Sequence, residues 1–591
     1  MSAAYEEKQF DIVVVGGGIG GVCAAIAAAR HGAKTALVQN RPVLGGNASS
    51  EIRVNIEGAA VHASRKDARE GGILEEILLE NHRRNPQHSF SVFDTVLWEK
   101  VHFQENLTLF LNTHMDDAAL ADGRIAVVMA KQLTSERRLR FAADIFIDCT
   151  GDGSLAALVG ADYMVGREGK DVFGEEHAPD VSDPCTMGST LYFQSCDMGQ
   201  PTPFVKPEWA HTFTNEQMLE HDEMSAGYWW VEIGGGEWDT IRDAEAIRDE
   251  LLKTVYGIWD HIKNSGHHAA ENLALQWIGM LPGKRESRRI TGAYVLKEQD
   301  VLAGRVFEDA VAYGGWYIDP HMIELAMSLR RGVPYSDAGY IHLDGLYTIP
   351  YGCLYSRNVP NLMMGGRLIS ASRQAFSSAR VMGTCAVVSQ AAGTAAAMAV
   401  RKGLLPADIA GQVGALQQAL LKDDCFIPGF VNTDALDLAR TAQAAASSET
   451  AEGACVQLTR GCSRGQENAW ISREQEGLPA WAELSWDAPV AMREVRLVFD
   501  SDFSVEMVTS MSKGMQRKQR KGLPPTLVKD YTIAWFNGEA CVAQREIVEN
   551  GQRLRVHRLD ETIAADRVRL TVIGTYGEPC ARVFEMRVYE A

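Results

Sequence analysis

The sequence predicts an α/β domain that is interrupted by a long α+β insertion and followed by an all-β sandwich. Three observations lead to this prediction. An apolar strand, a glycine turn and a small-residue helix follow one another over residues 10–32. A second strand, ending in ALV at residues 36–38, follows that helix, and short alternating strands fill the chain beyond residue 455. With 591 residues the chain is too long for one hydrophobic core, so several domains are expected.

The composition argues against several classes of protein. The net charge of −19, from 58 basic and 77 acidic residues, argues against general binding to nucleic acids or anionic membranes. The opening stretch MSAAYEEKQFDIVVV lacks the regions of a signal peptide, and no uninterrupted apolar stretch is long enough to span a bilayer. The 11 cysteines include no Cys-x-x-Cys pair, which favours free thiols over disulfides, a metal site or a redox dithiol. We therefore expect a cytoplasmic protein without a metal site.

The first element, residues 10–38, has the pattern of a dinucleotide-binding turn. Gly16, Gly18 and Gly21 have the spacing G-x-G-x-x-G between a strand and a helix, and together with Ile19 they are the predicted cofactor contacts of this turn. The first glycine permits the turn, the second lets the backbone approach a pyrophosphate, and the third lets the helix pack closely on the sheet. The helix amino end also presents free N–H groups to phosphates. We predict a Rossmann-type domain here.

The position that usually holds a ribose-binding carboxylate carries an amide instead. Gln39 lies near the usual distance after Gly21 and is followed by Asn40 and Arg41. An amide can bond to ribose hydroxyls, and the missing charge also tolerates a 2′-phosphate, so NADP is an alternative at this point. The stretch RPVLGGNASSE (41–51) argues against that alternative, because its glycine pair brings the backbone to a ligand a second time.

The chain resembles the FAD-dependent oxidoreductases related to the fumarate reductase and succinate dehydrogenase flavoproteins. The resemblance rests on LGGNAS (44–49), on ADIFIDCTGDGSLAALVGA (143–161) and on the glycine, arginine and small-residue segment of 361–399. It implies non-covalent FAD, since Asn47 stands where some relatives link the flavin through a histidine. Gln39 would contact the ribose, the Met115 backbone the adenine, and the helix near Thr384 the flavin pyrimidine, where its amino end stabilises negative charge. Beside the glycine turn, the implied cofactor contacts are Gln39, Asn40, Arg41, Gly45, Gly46, Asn47, Ala48, Ser49, Met115, Thr150, Gly151, Asp152, Gly366, Arg367, Arg380, Gly383 and Thr384.

Domain boundaries follow from these segments. We predict the first part of the FAD domain over 1–165, an inserted substrate domain over 166–345, the final part of the FAD domain over 346–405, a helical segment and linker over 406–454, and a β-sandwich over 455–591. No second G-x-G-x-x-G with a following acidic strand appears downstream. An NADH-binding domain is therefore not expected, and the electron acceptor is left open.

The insertion is expected to hold the substrate against the flavin. Its glycine-rich aromatic stretches, residues 225–239 and 312–321, suit stacking on sugar rings but also suit an ordinary core. The charged stretch LPGKRESRRITGAYVLKEQD (281–300) resembles a cleft segment of the family, where an arginine either reaches the ligand or forms a structural salt bridge.

The candidates for acid–base chemistry are His321, His342, Tyr351 and Arg373. His321 follows Asp319, which can orient an imidazole, whereas the alternative is a surface or capping histidine. Tyr351 lies in IPYGCL, a segment that in the family returns toward the flavin. By the same resemblance, Arg373 would hold a substrate anion or donate a proton.

The C-terminal strands resemble the discoidin or galactose-binding-like jelly-roll class, through ELSWDAPVAMREVRLVFD (483–500) and VFEMRVYE (583–590). Such modules bind sugars or serve only in packing and oligomerisation. One loop, residues 507–531, carries five basic residues from Lys513 to Lys521, among methionines. It is either a solvated loop or a cover of the flavin cleft that attracts an acidic substrate.

These features predict an FAD-dependent oxidoreductase that oxidises a CH–OH group of a carbohydrate or glycoside, with hydride passing to flavin N5. The alternatives are a C=C reductase or dehydrogenase of a small carboxylate, and a non-catalytic glycan-binding protein on an FAD fold. The expected partner is a sugar-like small molecule and not nucleic acid or membrane; a homo-oligomer is compatible with the sequence.

Overall fold

The computed structural model describes residues 5–215, 218, 224–227, 232–236, 238–321 and 339–590. The chain forms two compact units, each built from several segments. The first unit contains Met1–Val61, Gln87–Val413 and Val508–Gln519, and the second unit contains His62–Pro86, Gly414–Met507 and Arg520–Ala591. Part of the predicted aromatic stretch 225–239, namely residues 228–231 and 237, lies outside the described residues.

The helices and strands are numbered in chain order. The helices are α1 (Ile19–Arg30), α2 (Ile73–Arg84), α3 (Phe90–His102), α4 (Ser154–Leu158), α5 (Lys170–Phe173), α6 (Ala244–Asn264), α7 (Glu298–Leu302), α8 (Arg373–Ala379), α9 (Met382–Lys402), α10 (Val413–Lys422) and α11 (Lys513–Lys518). The strands are β1 (Glu6–Gln9), β2 (Ile12–Val15), β3 (Thr35–Val38), β4 (Leu107–Phe110), β5 (Thr113–Ala121), β6 (Arg124–Gln132), β7 (Arg138–Ala142), β8 (Ile145–Asp148), β9 (Tyr163–Met164), β10 (Ser189–Thr190), β11 (Phe193–Asp197), β12 (Glu232–Ile233), β13 (Leu273–Ile278), β14 (Gly283–Lys284), β15 (Arg289–Ile290), β16 (Ala310–Gly314), β17 (Tyr347–Pro350), β18 (Leu362–Met364), β19 (Gln443–Ala446), β20 (Trp470–Ile471), β21 (Ala480–Phe499), β22 (Val528–Asn537), β23 (Ala540–Ile547), β24 (Leu554–Thr575) and β25 (Arg582–Tyr589).

A five-stranded parallel sheet forms the centre of the first unit, in the order β18-β8-β2-β3-β4. The central strands β2, β3 and β8 are buried along their whole length, as expected for apolar strands that are covered on both faces. The glycine turn at the end of β2 leads into α1, as predicted, and β18 begins the returning segment. This sheet therefore places residues 16–21, 148–152 and 365–367 at the same carboxyl edge.

Helix α9 packs against α1 at close range. A Cβ on Gly393 would lie 2.1 Å from the Ala24 carbonyl oxygen, so the contact requires glycine. By length and composition α9 could cross a membrane, with a mean hydropathy of 1.3 over its apolar window. That window is 94% buried inside the protein, which is the environment of a core helix.

A second sheet of the first unit has the order β1-β7-β6-β5. Its β5–β6 hairpin turns at Asp122 and Gly123, as predicted, with φ values of +50° and +74°. The inserted region contributes shorter sheets, including β12-β10-β14 and β11-β13, and the long helix α6. The buried face of α6 packs on Leu191, Phe193 and Ile233.

The second unit contains a seven-stranded antiparallel sheet, in the order β20-β25-β21-β24-β22-β23, with β19 paired to β21. The all-β character predicted for the C-terminal region is thus observed, while jelly-roll connectivity stays a prediction. Strand β19 lies in the segment 439–454 that was expected to be only a linker. Helix α2 also belongs to this unit, held by a buried ion pair between Arg69 and Glu75.

Candidate active site

The glycine turn of the first unit has the geometry of a pyrophosphate site. Gly16 has a φ of +102°, and a Cβ there would lie 2.2 Å from the Cys149 carbonyl oxygen. A Cβ on Gly21 would lie 1.8 Å from the Gly16 carbonyl oxygen. A Cβ on Gly18, by contrast, would have no described atom within 4 Å, so the backbone at this glycine is open to a ligand. Helix α1 begins at the next residue, Ile19, and presents its amino end to that opening.

The second glycine pair packs directly on this turn. The Gly45 N–H donates to the Gly17 carbonyl oxygen at 2.8 Å, and a Cβ on Gly46 would lie 3.1 Å from the Gly18 Cα. A short 3₁₀ turn, Gly46–Ala48, follows and ends at the buried Ser49. The second glycine pair therefore lies against the glycine turn, and its contact with the ligand stays a prediction.

Gln39 makes two bonds to its own chain. Its Oε1 accepts from the Gly17 N–H at 2.9 Å, and its Nε2 donates to the Val43 carbonyl oxygen at 3.0 Å. The amide thus ties the first glycine turn to the stretch that leads to Gly45. A glutamate could accept the first of these bonds but could not donate the second, which explains an amide at this position. The predicted ribose contact would have to use the remaining lone pair and N–H.

The other predicted adenosine-end residues lie nearby in sequence but differ in environment. Asn40 is exposed, and Arg41 is half-buried with its Nε 3.8 Å from a Glu51 carboxylate oxygen. Met115 is buried in β5 and its side chain belongs to the hydrophobic core. Only the backbone of Met115 is available for an adenine contact, in keeping with the prediction.

Three predicted cofactor segments converge on Lys284 in β14. Its carbonyl oxygen accepts from Asn47 Nδ2 and from an Arg367 N–H, both at 3.0 Å, and its Nζ lies 2.7 Å from an Asp152 carboxylate oxygen. Burial by itself would raise the pKa of Asp152, but Lys284 and Arg367 lower it below the ordinary value. The convergence links the FAD-type segments to the inserted region.

The remaining predicted residues of these segments are backbone elements. Thr150 bonds to the buried Asp148 carboxylate through both its N–H and its Oγ1, while Gly151 has a φ of +80°. Gly366 has a φ of +66°, and its N–H donates to Ser389 Oγ at 2.7 Å. Both glycines therefore occupy conformations that other residues rarely adopt.

The amino end of α9 lies beside Glu57. The N–H of Gly383 donates to the Glu57 carbonyl oxygen at 2.8 Å, and the neighbouring Thr384 is buried. We call residues 45–54 the cofactor loop. The amino end of α9, which was expected to face the flavin pyrimidine, is thus anchored to Glu57, just after this loop.

A buried polar cluster surrounds His321; we call Glu232, Arg285, Asp319, His321 and Arg380 the His321 cluster. Nδ1 of His321 lies 2.7 Å from a Glu232 carboxylate oxygen, and Nε2 lies 2.8 Å from an Asp319 oxygen. The same Glu232 oxygen is 2.6 Å from an Arg285 NH2, and the same Asp319 oxygen is 3.2 Å from an Arg380 NH2. The cluster thus alternates acidic and basic groups.

Neighbouring cations keep the Asp319 carboxylate of this cluster charged. Burial by itself would raise the pKa of Asp319, but His321 and Arg380 lower it below the usual range, so the carboxylate stays ionised. Two phenols adjoin the cluster. Burial raises the pKa of both Tyr192 and Tyr317, and nearby carboxylates add to the effect, so both phenols keep their protons at neutral pH.

The structure corrects the expected role of Arg373. Its Nε lies 2.7 Å from a Glu286 oxygen, NH1 donates to Ser377 Oγ at 2.6 Å, and NH2 donates to the Pro320 carbonyl oxygen at 2.6 Å. The guanidinium is buried and committed to protein partners, so it holds the peptide next to His321. We assign it as a positioning residue rather than a substrate contact or proton donor.

The other two acid–base candidates have different environments. The Tyr351 side chain is fully buried and its hydroxyl donates to the Pro406 carbonyl oxygen at 2.7 Å, which is a structural environment; its role in proton transfer stays a prediction. His342 is exposed, with its ring 5.9 Å from that of Tyr317. Of the four candidates, His321 has the surroundings of a proton-handling group.

Sequence reasoning missed Glu232 and Tyr192 as neighbours of His321. Glu232 lies inside the aromatic stretch 225–239 and carries no spacing signal of its own. Arg285 was visible in the RE-x-RR stretch, where the choice between ligand contact and salt bridge resolves to a buried pair with Glu232.

The glycine turn and the parallel sheet define the dinucleotide-binding class of fold, and the buried His321 cluster lies largely in the inserted region. The chain belongs to the FAD-dependent oxidoreductase family: the family model described as "FAD dependent oxidoreductase" matches residues 11–420. The cofactor is accordingly FAD, and the open backbone at Gly18, the packed pair Gly45 and Gly46, and the Lys284 convergence fit a long dinucleotide.

Several solved structures resemble part of the chain, and all are small carbohydrate-binding modules. The family 32 module of Clostridium perfringens NanJ in complex with galactose is 17% identical, with 26% of this chain and 98% of that chain covered and a TM-score of 0.20. A fucose-binding module of Streptococcus pneumoniae is 14% identical, with 27% and 100% covered and a TM-score of 0.21. The family 32 module of S. pneumoniae EndoD is 15% identical, with 26% and 99% covered and a TM-score of 0.20. At this similarity nothing about ligands follows for this chain.

Proposed function

We propose that this enzyme oxidises a CH–OH group of a carbohydrate or glycoside. Bound FAD supplies the hydride acceptor, at flavin N5. The parallel sheet with its glycine turns would form a Rossmann-type site for non-covalent FAD, because Asn47 offers an amide that is bonded to Lys284 rather than a histidine. The His321 cluster and the two adjoining phenols would contact the substrate hydroxyl groups.

The observation that carries the proposal is the charge balance of the buried pocket. Arg285 pairs with Glu232, Arg380 with Asp319 and Arg373 with Glu286. A dicarboxylate substrate needs arginines whose charge is not already neutralised, and each of these three has a carboxylate partner. Alternating donors and acceptors suit a polyhydroxylated, uncharged part of a substrate instead. This balance favours alcohol oxidation over the small-carboxylate alternative.

His321 is placed to handle the hydroxyl proton. A neutral imidazole donates from one nitrogen only, yet both ring nitrogens face carboxylate oxygens at 2.7 and 2.8 Å. In the neutral imidazole, one nitrogen donates to a carboxylate and the other is an acceptor. A substrate hydroxyl that takes the place of the carboxylate at this second nitrogen can give its proton to the imidazole.

Surrounding residues hold this imidazole in an unusual conformation. His321 has a φ of +40°, which is uncommon for a residue other than glycine. The preceding carbonyl, that of Pro320, accepts from Arg373, and the Asp319 carboxylate accepts from Arg380. These buried contacts offset the strain and keep the ring between its two carboxylates.

The test is anaerobic bleaching of the enzyme-bound flavin by a panel of methyl glycosides, with unsaturated acids tested for reoxidation of the reduced enzyme. We expect bleaching by glycosides and no reoxidation by unsaturated acids. His321→Gln should slow bleaching about 100-fold or more without loss of FAD. His102→Gln, an exposed histidine stacked on Trp98 in α3, is the matched control and should bleach at the wild-type rate.

Two outcomes would contradict the proposal. Fast reoxidation by an unsaturated acid, without bleaching by any glycoside, would show the carboxylate reaction instead. Colourless purified protein that binds glycans without turnover would show a binding protein on an FAD fold.

A further inference from the structure

A segment from the C-terminal part of the sequence, residues 508–519, belongs to the first unit. Its Met511 is buried, with 4% of its surface exposed, and packs in one apolar cluster with Phe90, Tyr192 and Ala226. Tyr192 in turn lies within electrostatic range of Arg285 and Glu232, two members of the His321 cluster. The segment therefore forms part of the wall around the proposed substrate pocket.

Two hydrogen bonds fix this segment further. The Asn55 Nδ2 donates to Met515 Sδ at 3.1 Å, and the Lys513 N–H donates to Ser225 Oγ at 3.2 Å. Asn55 directly follows the cofactor loop, where the Val54 N–H donates to the Asn47 carbonyl oxygen at 2.8 Å. Segment 508–519 is thus attached both to the loop that adjoins the cofactor and to the inserted region.

The cofactor loop presents an arginine next to this segment. The Arg53 guanidinium lies 4.0 Å from the centroid of the Trp277 ring, and its NH1 donates to Gln194 Oε1 at 2.7 Å. Trp277 packs against the same apolar cluster as Met511. Arg53 has a φ of +68°, so the chain holds this side chain in place at a cost in backbone strain.

The Arg53 charge has no carboxylate in contact with it among the residues that the structure describes. Its other side-chain bond is from Nε to the Ser50 carbonyl oxygen at 3.2 Å. Asp94 affects Arg53 electrostatically, but its Oδ1 accepts from the Ser50 N–H at 3.0 Å. Burial raises the pKa of Asp94, and the bonds from Ser50 and the Arg53 charge act to lower it, so the two groups interact without contact. Arg53 thus differs from Arg285, whose guanidinium lies 2.6 Å from a Glu232 carboxylate oxygen.

Helix α11 adds exposed cations beside Arg53. Lys513, Arg517 and Lys518 are exposed, and in the described part of the chain none of the three forms an ion pair with a carboxylate. Because the whole chain carries a net charge of −19, this local excess of positive charge is unusual for the protein.

We propose that Arg53, Trp277 and residues 508–519 form an outer subsite that binds the carboxylate of a uronic-acid residue in the substrate. The proposal rests on the proposed alcohol oxidation and adds the substrate class: an acidic glycoside whose reacting hydroxyl lies at the His321 cluster. The guanidinium would take the carboxylate oxygens on its remaining N–H groups, and the α11 cations would attract the substrate. The charge-balanced inner pocket and the unbalanced outer cations thus have separate roles.

The test compares matched substrates on the FAD-loaded enzyme. Methyl glycosides and the corresponding methyl glycosiduronates, in the gluco, galacto and manno series, are compared by anaerobic flavin bleaching. We expect kcat/KM to be higher for the acidic member of at least one pair. Arg53→Gln should lower kcat/KM for that member by at least about tenfold, mainly through KM, and leave the neutral member within about twofold. Arg53→Lys, which keeps the charge, should recover part of the loss.

The α11 cations are tested through ionic strength. The double variant Lys513→Gln/Arg517→Gln should lower kcat/KM for the acidic member about threefold at low salt, with the difference vanishing at high salt. The matched control is Lys131→Gln/Arg401→Gln, which removes the same charge from exposed positions elsewhere in the first unit and should have no effect.

The outcomes separate the two proposals. If no glycoside of either kind bleaches the flavin, the proposed function fails. If glycosides bleach it but acidic and neutral members react equally, and Arg53→Gln changes neither, the outer subsite is wrong while the proposed function stands. If the Arg53→Gln variant fails to bind FAD, the test uses the Lys513→Gln/Arg517→Gln and Arg53→Lys variants instead. The subsite would be overturned if both variants discriminate between acidic and neutral glycosides as the wild type does.

Discussion

Replacing Asp319 by Asn is the sharpest perturbation of the His321 cluster. The substitution keeps the size of the side chain but removes the charge that faces His321 at 2.8 Å and Arg380 at 3.2 Å. A charged hydrogen bond contributes about 1.5–3 kcal/mol and a neutral one about 0.5–1.5 kcal/mol, so each contact loses about 1–1.5 kcal/mol. We expect the free energy of unfolding to fall by about 2–3 kcal/mol in total.

The catalytic effect should exceed the effect on stability. Without the Asp319 charge, the imidazole of His321 loses a charged partner at 2.8 Å, so its orientation is less fixed. We expect flavin bleaching by an active glycoside to slow about 100-fold or more, with altered pH dependence and unchanged FAD content. Stopped-flow bleaching across pH, together with denaturant unfolding, measures both quantities. Asp122→Asn, at the exposed β5–β6 turn, is the control and should change stability by less than about 0.5 kcal/mol.

The pH dependence of the free energy of unfolding gives an independent check of the role of the Asp319 carboxylate. The pKa of Asp319 is lower in the folded protein than its ordinary value, so its ionised form stabilises the fold at neutral pH. That contribution is lost as the pH falls below the ordinary Asp range and through the lowered value. The wild type and Asp319→Asn should therefore converge in stability under acidic conditions. A variant that bleaches at the wild-type rate, with an unchanged pH profile and equal stability at neutral pH, would refute the role assigned to this carboxylate.

Three further predictions concern the dinucleotide site and the second unit. Gly21→Ala places a Cβ 1.8 Å from the Gly16 carbonyl oxygen and should yield protein without flavin absorbance at about 450 nm, the usual flavin band; a yellow variant would contradict the assigned geometry. Gln39→Glu loses the donor to the Val43 carbonyl oxygen and should weaken FAD binding about tenfold in a fluorescence titration, whereas an unchanged Kd would show that this bond is dispensable. Burial lowers the pKa of His557 from 6.5 to about 4, so the unfolded state binds more protons between these values and stability should fall as the pH drops through this window. His557→Gln should flatten that dependence in denaturant titrations across the same window, and an unflattened curve would place the acid sensitivity elsewhere.

The local elements of the first unit could be predicted from the sequence, because each depends on residues that are close together in the chain. The turn after β2 needs glycines at 16 and 21, since a positive φ at the first and close backbone contacts at both exclude side chains. The β5–β6 turn at Asp122 and Gly123 has the same local cause. The family was indicated by a resemblance that residues 44–49, 143–161 and 361–399 carry, and it was confirmed over residues 11–420.

The arrangement of the pocket could not be predicted in this way. Asp319 and His321 are neighbours in sequence, but Glu232 and Arg285 reach them only because the short strands of the inserted region pack together. Charged residues in such segments have no periodicity that distinguishes a buried pair from an exposed one. For the same reason Arg373 and Tyr351 were predicted as catalytic, although the fold gives their polar atoms partners at Pro320 and Pro406.

The exchange of segments between the two units is the clearest case of what tertiary structure alone decides. The basic stretch of residues 507–531 was visible in the sequence as a loop, which was interpreted either as solvated or as a cover of the flavin cleft. Its residues 508–519 belong to the first unit because Met511 is buried against Phe90 and Tyr192 there. By itself the sequence determined the cofactor turns and the buried strands through short-range steric and apolar patterns, and it indicated the family through the resemblance of its motifs. Only the folded chain decided which distant charges meet, because the partner of a buried charge is set by packing between segments that share no local pattern.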